Sequence, residues 1–385
     1  MAMLAGIKVC GFKSIAHTEL HLRHLNVLIG ANGAGKSNLL SLFRLLYEMR
    51  HGRLQKFVGD WGADALLFYG AKNTERIEAS LRLEGDDNGS VVYRVELTPT
   101  VRGSLTPEET IEFHTARAVQ LCGDVGVTVS RGDIGIAPES QLETSIETWR
   151  QKDADSQAAA RRGEMVVQNI RRWGIFHLHD TSWSAPIRLS PPYSGDADAI
   201  RSDGRNLAAF LLKVRLSNAP AYRRIVETIR QVAPWFGDFV LERVGPEETD
   251  VDLNWRDRYS DDVFGPHQLP DGALRAMVLI TLLLQPRENL PSLIVIDEPE
   301  LGLHPAAITV IAALMKAVAL QTQIVIATQS PTLLDEFDAA DVIVVDRENG
   351  RSTFTRQDPE RLKDWLEEYS LGELWQKNSI GGGPF

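Results

Sequence analysis

The alternation of apolar and polar residues divides the chain into three regions of different texture. In the first region, short apolar runs and period-two alternation predict strands, and a helical pattern without Gly or Pro predicts a helix. The predicted strands lie at residues 7–11, 18–22, 25–30, 77–83 and 90–97, and the predicted helix lies at residues 37–49. Residues 1–97 therefore contain a strand–turn–helix unit among strands that alternate.

The middle region, residues 98–265, is more polar and less regular than its neighbours. Two stretches in it have a helical pattern, at residues 206–216 and 221–232, whereas the apolar runs of a central sheet are missing. We therefore expect an inserted α+β lobe at this place.

Continuous apolar runs return in the third region, residues 266–356, at residues 293–296, 324–327 and 342–345. Helical patterns at residues 272–284 and 305–320 lie before and after the first run. Strands that are buried on both faces give such runs, so the pattern predicts an α/β fold with a mainly parallel sheet.

The two end regions are expected to build one domain around the inserted lobe. The strand–turn–helix unit of residues 1–97 would join the parallel sheet of residues 266–356, beside an antiparallel β subdomain. Residues 357–385 are predicted to form an acidic C-terminal helix and a Gly-rich tail.

Composition narrows the class of protein. The chain has 385 residues and a net charge of −11, which argues against indiscriminate binding to nucleic acid. Its only cysteines are Cys10 and Cys122, which indicates a reducing, cytoplasmic setting. The longest apolar run, residues 276–284, is far shorter than the ~20 residues of a membrane helix, and the N-terminus lacks the pattern of a secretion signal. A membrane partner is therefore not expected.

A phosphate-binding motif follows the strand at residues 25–30. The run that fits G-x-x-x-x-G-K-[ST] is Gly30-Ala31-Asn32-Gly33-Ala34-Gly35-Lys36-Ser37. Its glycines would let backbone N–H groups approach ATP phosphates at a helix N-terminus. Lys36 would reach the β- and γ-phosphates, Ser37 would bind Mg²⁺, and the adjacent Asn38 is a further candidate contact. The alternative is a plain glycine turn before a helix.

Two carboxylates end the apolar strand at residues 293–296. Asp297 would hold Mg²⁺ through its water shell, and Glu298 would orient or activate the attacking water. The alternative is that these carboxylates cap a following helix that begins near Pro305.

Spacing indicates the class of nucleotide-binding protein. Asp297 lies 261 residues after Lys36, Gly272 lies 25 residues before Asp297, and Gln329 lies 31 residues after Glu298. The order is a phosphate loop, a helix start within residues 269–275, an acidic strand and a polar residue after the next strand. In this order and in Gly11-Phe12-Lys13-Ser14-Ile15, the chain resembles the ABC-type ATPase heads of the RecF/SMC and OLD (overcoming lysogenisation defect) families, over residues 1–97 and 266–356.

The resemblance implies two heads that dimerise head to tail around two ATP molecules. Asp271 and Gly272 would then present a helix N-terminus to the ATP of the other head, although such a pair can also be an ordinary helix cap. The family usually has Ser where this chain has Pro270 and His where it has Gln329. Glutamine cannot carry a proton near neutral pH, so we expect slow hydrolysis, with the protein acting as a timer. His304 also replaces the usual Asp of transporter-type heads.

Two other clusters allow both a functional and a structural interpretation. Basic residues at 150–172 could contact a DNA backbone, or simply form a solvated helix face. The candidate DNA contacts are Arg161, Arg162, Arg171 and Arg172. His177 and His179 alternate as metal ligands on a strand would, but no further ligand cluster is near them, which favours a structural role.

The functional hypothesis is an ATP- and Mg²⁺-dependent switch for a separate effector, such as the nuclease of an anti-phage defence pair. Only 56 residues follow Gln329, too few for a nuclease domain in the same chain, so the effector is expected to be a partner. The alternative is a RecF-like DNA clamp in repair or recombination. A transporter subunit fits poorly because of the long insertion, and a P-loop kinase leaves the segment at 269–275 unexplained.

Overall fold

A computed structural model describes residues 2–85, 89–99, 105–115, 127–128, 139–140, 142–189, 197–244 and 250–383. Cys122 lies outside these residues, and Cys10 is a free thiol whose Sγ lies 3.0 Å from Nδ1 of His17. Within the described part of the chain, no helix is both long enough and apolar enough to cross a membrane.

Strands occur from one end of the chain to the other. In chain order they are β1 Met3–Phe12, β2 Ile15–His21, β3 Leu25–Ile29, β4 Ile77–Glu84, β5 Gly89–Pro99, β6 Leu105–Thr115, β7 Val127–Thr128, β8 Trp173–Phe176, β9 Phe236–Val240, β10 Arg243–Val244, β11 Asp250–Val251, β12 Asn254–Asp257, β13 Val263–Phe264, β14 Leu293–Asp297, β15 Gln323–Thr328, β16 Val342–Glu348 and β17 Arg351–Arg356.

The helices lie between these strands. They are α1 Lys36–Arg50, α2 Leu54–Trp61, α3 Ala63–Leu66, α4 Leu142–Arg150, α5 Ala154–Arg171, α6 Leu207–Ser217, α7 Ala219–Val232, α8 Asp271–Leu284, α9 Pro305–Ala319, α10 Pro331–Leu334, α11 Pro359–Leu366 and α12 Leu371–Gln376. Short 3₁₀ turns occur at Pro186–Arg188, Pro266–Gln268, Arg287–Asn289 and Ala339–Asp341.

The chain divides into two compact units. The first contains Met1–Trp173, Asp341–Gln357 and Lys377–Phe385, and the second contains Gly174–Ala340 and Asp358–Gln376. The division expected from the sequence follows different borders and stays a prediction. It has an inserted lobe at 98–265 between head segments at 1–97 and 266–356, and a tail at 357–385.

The first unit contains an antiparallel sheet and a short parallel pairing. The sheet has the strand order β2-β1-β4-β5-β6-β7, and β4 buries every second side chain, as expected of a strand with one face on the core. β3 is buried at all five positions and pairs in parallel with β16, which pairs in antiparallel fashion with β17. The fully buried β3 leads directly into the phosphate loop.

The second unit has its own parallel pair. β14 and β15 pair in parallel from Leu293 opposite Gln323 to Asp297 opposite Ala327, and nearly every side chain in the two strands is buried. Because the two strands are in register, their carboxyl ends emerge at the same edge, which places the residues after each strand close together. α8 and α9 supply further buried apolar side chains to this unit.

The C-terminal segment contains two helices where the sequence pattern indicated one. α11 ends at Leu366, and α12 begins at Leu371 after a break. Ser370 and Glu373 cause the second start, since the Ser370 N–H donates to Glu373 Oε2 over 2.9 Å and the Glu373 N–H donates to Ser370 Oγ over 3.3 Å. This reciprocal pair is a capping box, which begins a new helix.

Candidate functional site

The phosphate-loop motif lies between β3 and α1 in the first unit. Gly33 has φ 77° and Gly35 has φ 122°, conformations that favour glycine. α1 begins at Lys36, and no side chain in the described residues caps its first turn. The N–H groups at this helix start are therefore suited to donate hydrogen bonds to an anionic ligand.

Two of the loop glycines are required by packing as well as by backbone conformation. A Cβ added to Gly30 would overlap the carbonyl oxygen of Val345 in β16. A Cβ added to Gly35 would overlap the hydroxyl of Ser352 in β17. The loop is thus pressed against the β16–β17 hairpin, and the neighbouring backbone fixes its course.

Lys36 is folded into the loop that it follows. Its Nζ donates to the carbonyl oxygens of Gly30 over 2.6 Å and Ala31 over 3.0 Å, and the residue is only 4% exposed. The two carbonyl oxygens thus hold the ammonium group against the loop, and its predicted contact with phosphate stays a prediction. Ser37 is exposed at the helix start, as a hydroxyl ligand for Mg²⁺ must be, and Asn32 is also exposed.

Behind the loop lies a hydroxyl cluster that the sequence motif does not reveal. Ser352 Oγ donates to the carbonyl of Ala34, and its oxygen lies 2.6 Å from Ser14 Oγ. Asn38 Nδ2 donates to Ser14 Oγ over 2.6 Å, so this side chain supports the cluster from α1. The predicted contact of Asn38 with the nucleotide remains a prediction.

Lys13 is a second lysine beside this cluster. Its Nζ donates to Ser41 Oγ over 2.8 Å and lies 4.0 Å from the centre of the Trp61 ring. Burial, together with the nearby charge of Arg44, lowers the pKa of Lys13 to about 8. The ammonium is held by a hydroxyl and an aromatic face, with no acid pairing with it among the contacts described.

The predicted acidic residues lie at the carboxyl end of β14 in the second unit. Asp297 is the last residue of the strand and is half-buried. Glu298 follows with φ 47°, which is unusual for a residue with a side chain, and its N–H donates to the carbonyl of Ala327 over 2.8 Å. Such local strain is often found at functional positions.

Glu298 and Gln329 are in direct contact. Gln329 Nε2 donates to Glu298 Oε1 over 2.6 Å, so the structure brings together two residues that are 31 positions apart and that the sequence order predicted to cooperate. The other oxygen, Oε2, lies 3.8 Å from Nδ1 of His179. His179 lies beyond the end of β8, so the predicted alternation on a strand does not hold for the two histidines. In the described residues, no group of three or more His, Cys, Asp or Glu side chains is arranged to bind a metal ion.

Glu300 is a third acid in this cluster, and sequence reasoning missed it. Its Oε1 accepts hydrogen bonds from Thr328 Oγ1 over 2.6 Å and from the Gln329 N–H over 3.2 Å. Burial raises the pKa of Glu300, and its Oε2 is buried with no hydrogen-bond partner in the structure. Glu300 therefore fixes the backbone that carries Gln329.

The predicted signature segment begins α8. Pro270 precedes the helix and provides no side-chain cap, and Asp271 is the first helical residue, paired with the buried guanidinium of Arg188. A Cβ on Gly272 would overlap the carbonyl oxygen of Gly302, so the helix start lies directly on the loop that follows Glu298. An ordinary cap by Asp271 is not observed, because its side chain binds Arg188 instead.

A shallow cavity of about 360 Å³ flanks this helix start. Trp183 is 74% exposed and stacks on His267 with the ring centres 4.2 Å apart. Arg188 lies in the same wall and donates to the carbonyls of Thr181, Pro266 and Leu269. The guanidinium ties the segment at Thr181 to the turn that precedes α8.

The basic residues proposed to contact DNA are partly engaged within the protein. Arg150 pairs with Glu164, and Arg171 pairs with Glu143 over 2.7 Å. Arg161, on α5, is exposed. The local positive charge is thus smaller than the sequence alone suggested.

The donor set agrees with the cofactors that the motif predicts. The loop offers backbone N–H groups at a helix start, and the exposed hydroxyl of Ser37 is an oxygen ligand of the kind that Mg²⁺ prefers. Asp297, in the second unit, is a carboxylate of the same kind. Which of these residues bind ATP or Mg²⁺ stays a prediction.

Two family models match parts of the chain. Residues 3–122 match the model described as "AAA ATPase domain", and residues 179–335 match the model described as "AAA domain, putative AbiEii toxin, Type IV TA system". A comparison with curated proteins gives no match. The first matched region contains the phosphate loop, and the second contains Glu298 and Gln329.

Solved structures with a similar fold include Smc head domains. An Smc head bound to the C-winged helix domain of ScpA has a TM-score of 0.56 and 16% identity, covering 93% of this chain and 99% of that chain. An Smc head with an extended coiled coil, bound to the C-terminal domain of ScpA derived from Pyrococcus furiosus, has a TM-score of 0.54 and 15% identity, with coverages of 96% and 99%. An Smc head with a coiled coil and joint, derived from Pyrococcus yayanosii, has a TM-score of 0.53 and 13% identity, also with coverages of 96% and 99%.

At these identities the similarity concerns the fold. The predicted fold class is confirmed, since the chain is mixed α/β with parallel strand pairs and an antiparallel sheet, as expected of this kind of P-loop protein.

Proposed function

We propose that this chain, which has the fold of an ABC-type ATPase head of the SMC and RecF kind, binds ATP with Mg²⁺ and hydrolyses it slowly. The observation that carries the proposal is the 2.6 Å hydrogen bond between Gln329 Nε2 and Glu298 Oε1. It joins the acid after one buried strand to the amide after the next, as a site that orients an attacking water requires.

The proposed roles follow from the chemistry of each group. The loop from Gly30 to Ser37 binds the phosphates through backbone N–H groups, and Lys36 neutralises their charge. Ser37 and Asp297 would hold Mg²⁺, and the bound ion would offset negative charge on the phosphoryl oxygens. Glu298 accepts a hydrogen bond from the water, and Gln329 fixes the plane of its carboxylate.

Slow turnover is expected because position 329 is a glutamine. An amide donates and accepts hydrogen bonds, but it does not take up a proton near neutral pH. Gln329 can hold Glu298 in place but cannot relay charge during the reaction. The ATP-bound form would therefore persist, which is the behaviour of a timer.

We further propose that two heads associate head to tail around ATP. The start of α8 would face the nucleotide of the partner head, since its first N–H groups carry partial positive charge. Asp271 and Gly272 are the first two residues of this helix, and Gly272 lies directly on the loop at Gly302. Arg188, by pairing with Asp271, reduces the negative charge at the point where phosphate would approach.

The proposed purpose is control of a separate effector, such as the nuclease of an anti-phage defence pair, in the cytoplasm. The description of the model that matches residues 179–335 names a toxin–antitoxin system, which supports a defence role. Two of the similar Smc heads were solved with a bound domain of ScpA, so this fold is able to bind a partner protein.

A RecF-like DNA clamp is the second candidate. The exposed Arg161 on α5, together with the candidate contacts Arg162, Arg171 and Arg172, supports it. The pairing of Arg171 with Glu143 weakens it, because a paired guanidinium offers less charge to a phosphate.

Nucleotide binding is tested by Lys36→Ala, with Lys56→Ala as the matched control because Lys56 is exposed on α2. We expect Lys36→Ala to lose most of its affinity for ATP and all ATP-dependent dimerisation, measured by a fluorescent nucleotide and by light scattering. Unchanged ATP affinity in Lys36→Ala would contradict the assignment of the phosphate loop.

The purpose is tested by affinity purification of tagged Glu298→Gln from its native host, with Lys36→Ala as the control that should not form the ATP state. A nuclease-like protein in stoichiometric amount with Glu298→Gln alone would support the switch. DNA recovered without a protein partner would favour the clamp. If neither a protein partner nor DNA is recovered, both proposals are contradicted.

A further inference from the structure

The two oxygens of the Glu298 carboxylate have different neighbours. Oε1 accepts a hydrogen bond of 2.6 Å from Gln329 Nε2. Oε2 faces the imidazole of His179, with 3.8 Å between Oε2 and Nδ1. The side chain of Glu298 is 26% exposed and that of His179 is 42% exposed, so both are free to contact a ligand or a water molecule.

The backbone of His179 is held in place by one guanidinium. Arg275 Nε donates to the Leu178 carbonyl over 2.8 Å, and its NH2 group donates to the His179 carbonyl over 2.7 Å. Its NH1 group donates to the Leu301 carbonyl over 3.1 Å, in the loop that follows Glu298. Arg275 therefore fixes the segment that carries the histidine and the loop that follows the acid with respect to each other.

The imidazole lies at the protein surface, with 42% of the side chain exposed. Its neighbour Leu178 is 8% exposed and serves the apolar interior, whereas the ring of His179 lies at the surface beside the acid. A histidine kept only for structure is expected to be buried or to bond the backbone, and its ring shows neither in the contacts described. The arrangement instead places the polar ring of His179 beside Oε2 of Glu298, the oxygen that Gln329 does not bind.

We propose that His179 is a positioning residue for Glu298 in ATP hydrolysis, binding Oε2 while Gln329 binds Oε1. The inference rests on the proposed ATPase function. A shift of about 1 Å converts the 3.8 Å separation into a hydrogen bond, and catalytic contacts are often long before substrate binds. With a donor to each of its oxygens, the carboxylate of Glu298 is held in one plane, in the orientation that binds the attacking water.

The test compares His179→Leu, which removes the donor at similar volume, with His179→Gln, which keeps a side-chain N–H. We expect His179→Leu to lower kcat about tenfold while the dissociation constant of ATP changes less than twofold, because the contact orients an acid and does not bind nucleotide. His179→Gln should recover most of kcat. His24→Leu, at an exposed histidine in the first unit, should match the wild type.

A double-mutant cycle distinguishes positioning from general damage. If His179 acts through Glu298, His179→Leu should have no further effect on residual hydrolysis in a Glu298→Gln background. An equal loss in both backgrounds, or an unchanged kcat in His179→Leu, would overturn the proposal. If the leucine variant unfolds, His179→Ala replaces it, and equal kcat in His179→Ala and His179→Gln would also overturn it.

Failure of the proposed function would look different. If the wild type binds ATP and Lys36→Ala or Glu298→Gln abolishes its hydrolysis, the ATPase assignment stands whatever His179→Leu does. If the wild type shows no hydrolysis that depends on Lys36 and Glu298, the ATPase assignment itself is wrong. Measuring the wild type and these three variants in one series separates the two cases.

Discussion

The phosphate loop in the first unit and the acidic cluster in the second are built in opposite ways. The loop takes its shape from backbone, because Gly30 and Gly35 lie where any side chain would overlap β16 or β17. The acidic cluster takes its shape from side chains, with Glu298 held by Gln329 and with Glu300 held by Thr328. One site depends on the absence of side chains, and the other depends on their hydrogen bonds.

This difference predicts how each site fails. A substitution in the loop should act in an all-or-none manner, since a displaced backbone loses several phosphate contacts at once. A substitution of a residue that supports Glu298 in the acidic cluster should be graded, since each hydrogen bond contributes separately and an isosteric side chain can keep it.

Among substitutions that leave Lys36 and Glu298 in place, the largest effect is expected for Gly35→Ala. The methyl group would overlap Ser352 Oγ in a backbone conformation with φ 122°, so ATP affinity should fall about 10- to 100-fold. Gly59→Ala is the matched control, because Gly59 lies within α2 with open space around it. That control should bind ATP normally and gain up to about 1 kcal/mol in stability. Equal ATP affinity in the two variants would break the comparison.

The second effect concerns Glu300. Glu300→Ala removes both hydrogen bonds to the Thr328–Gln329 segment, so kcat should fall about tenfold through misplacement of Gln329. Glu300→Gln keeps an acceptor oxygen and should retain most of kcat. Steady-state phosphate release measures both, and similar losses in the two variants would show that the negative charge of Glu300, and not its geometry, is what matters.

A smaller effect, and one of opposite sign, is expected for Gln329→His. Histidine at this position restores a group that can carry a proton, so turnover should rise several-fold. ATP affinity should stay the same, because the change lies at the acid and not at the loop. A wild-type enzyme that already turns over rapidly would remove the basis for this prediction.

The smallest effect is a pH dependence of stability. Burial raises the pKa of Glu300 above its ordinary value of 4.5, so the folded chain binds this proton more tightly than the unfolded chain. The stabilising contribution is therefore complete below that value and is lost as pH rises through the folded pKa. Above pH 4.5, the free energy of unfolding of Glu300→Gln should fall less steeply with rising pH than that of the wild type, as measured by denaturant titration. Parallel curves for the two proteins would contradict the raised pKa.

Much of the fold could be predicted from local patterns. β3, β14, β15 and α1 were predicted within two residues of their observed ends, because continuous apolar runs and a Gly-free amphipathic stretch leave few alternatives. The bounds of α5 were not predicted, although a solvated helix face was one of the two interpretations of the basic residues at 150–172. A signal was present there, because Asp153 caps the helix by accepting a hydrogen bond from the Ser156 N–H over 2.9 Å.

The candidate site was predictable only where its residues are close in sequence. The phosphate loop is one continuous motif, and Glu298 follows a recognisable strand. Ser352 and His179 lie far along the chain from the residues that they contact, and no spacing rule connects position 179 with position 298. Their contribution depends on tertiary structure, which brings separate segments together.

The most direct test of the account is the nucleotide content and single-turnover hydrolysis of Glu298→Gln, measured beside Glu288→Gln, a matched change at an exposed glutamate of the same unit. We predict that Glu298→Gln binds ATP as tightly as the wild type and forms a stable ATP-bound dimer, while hydrolysis falls by a factor of about 100 or more. Glu288→Gln should be normal in both respects. Hydrolysis by Glu298→Gln at the wild-type rate would contradict the central claim that Glu298, held by Gln329, orients the attacking water.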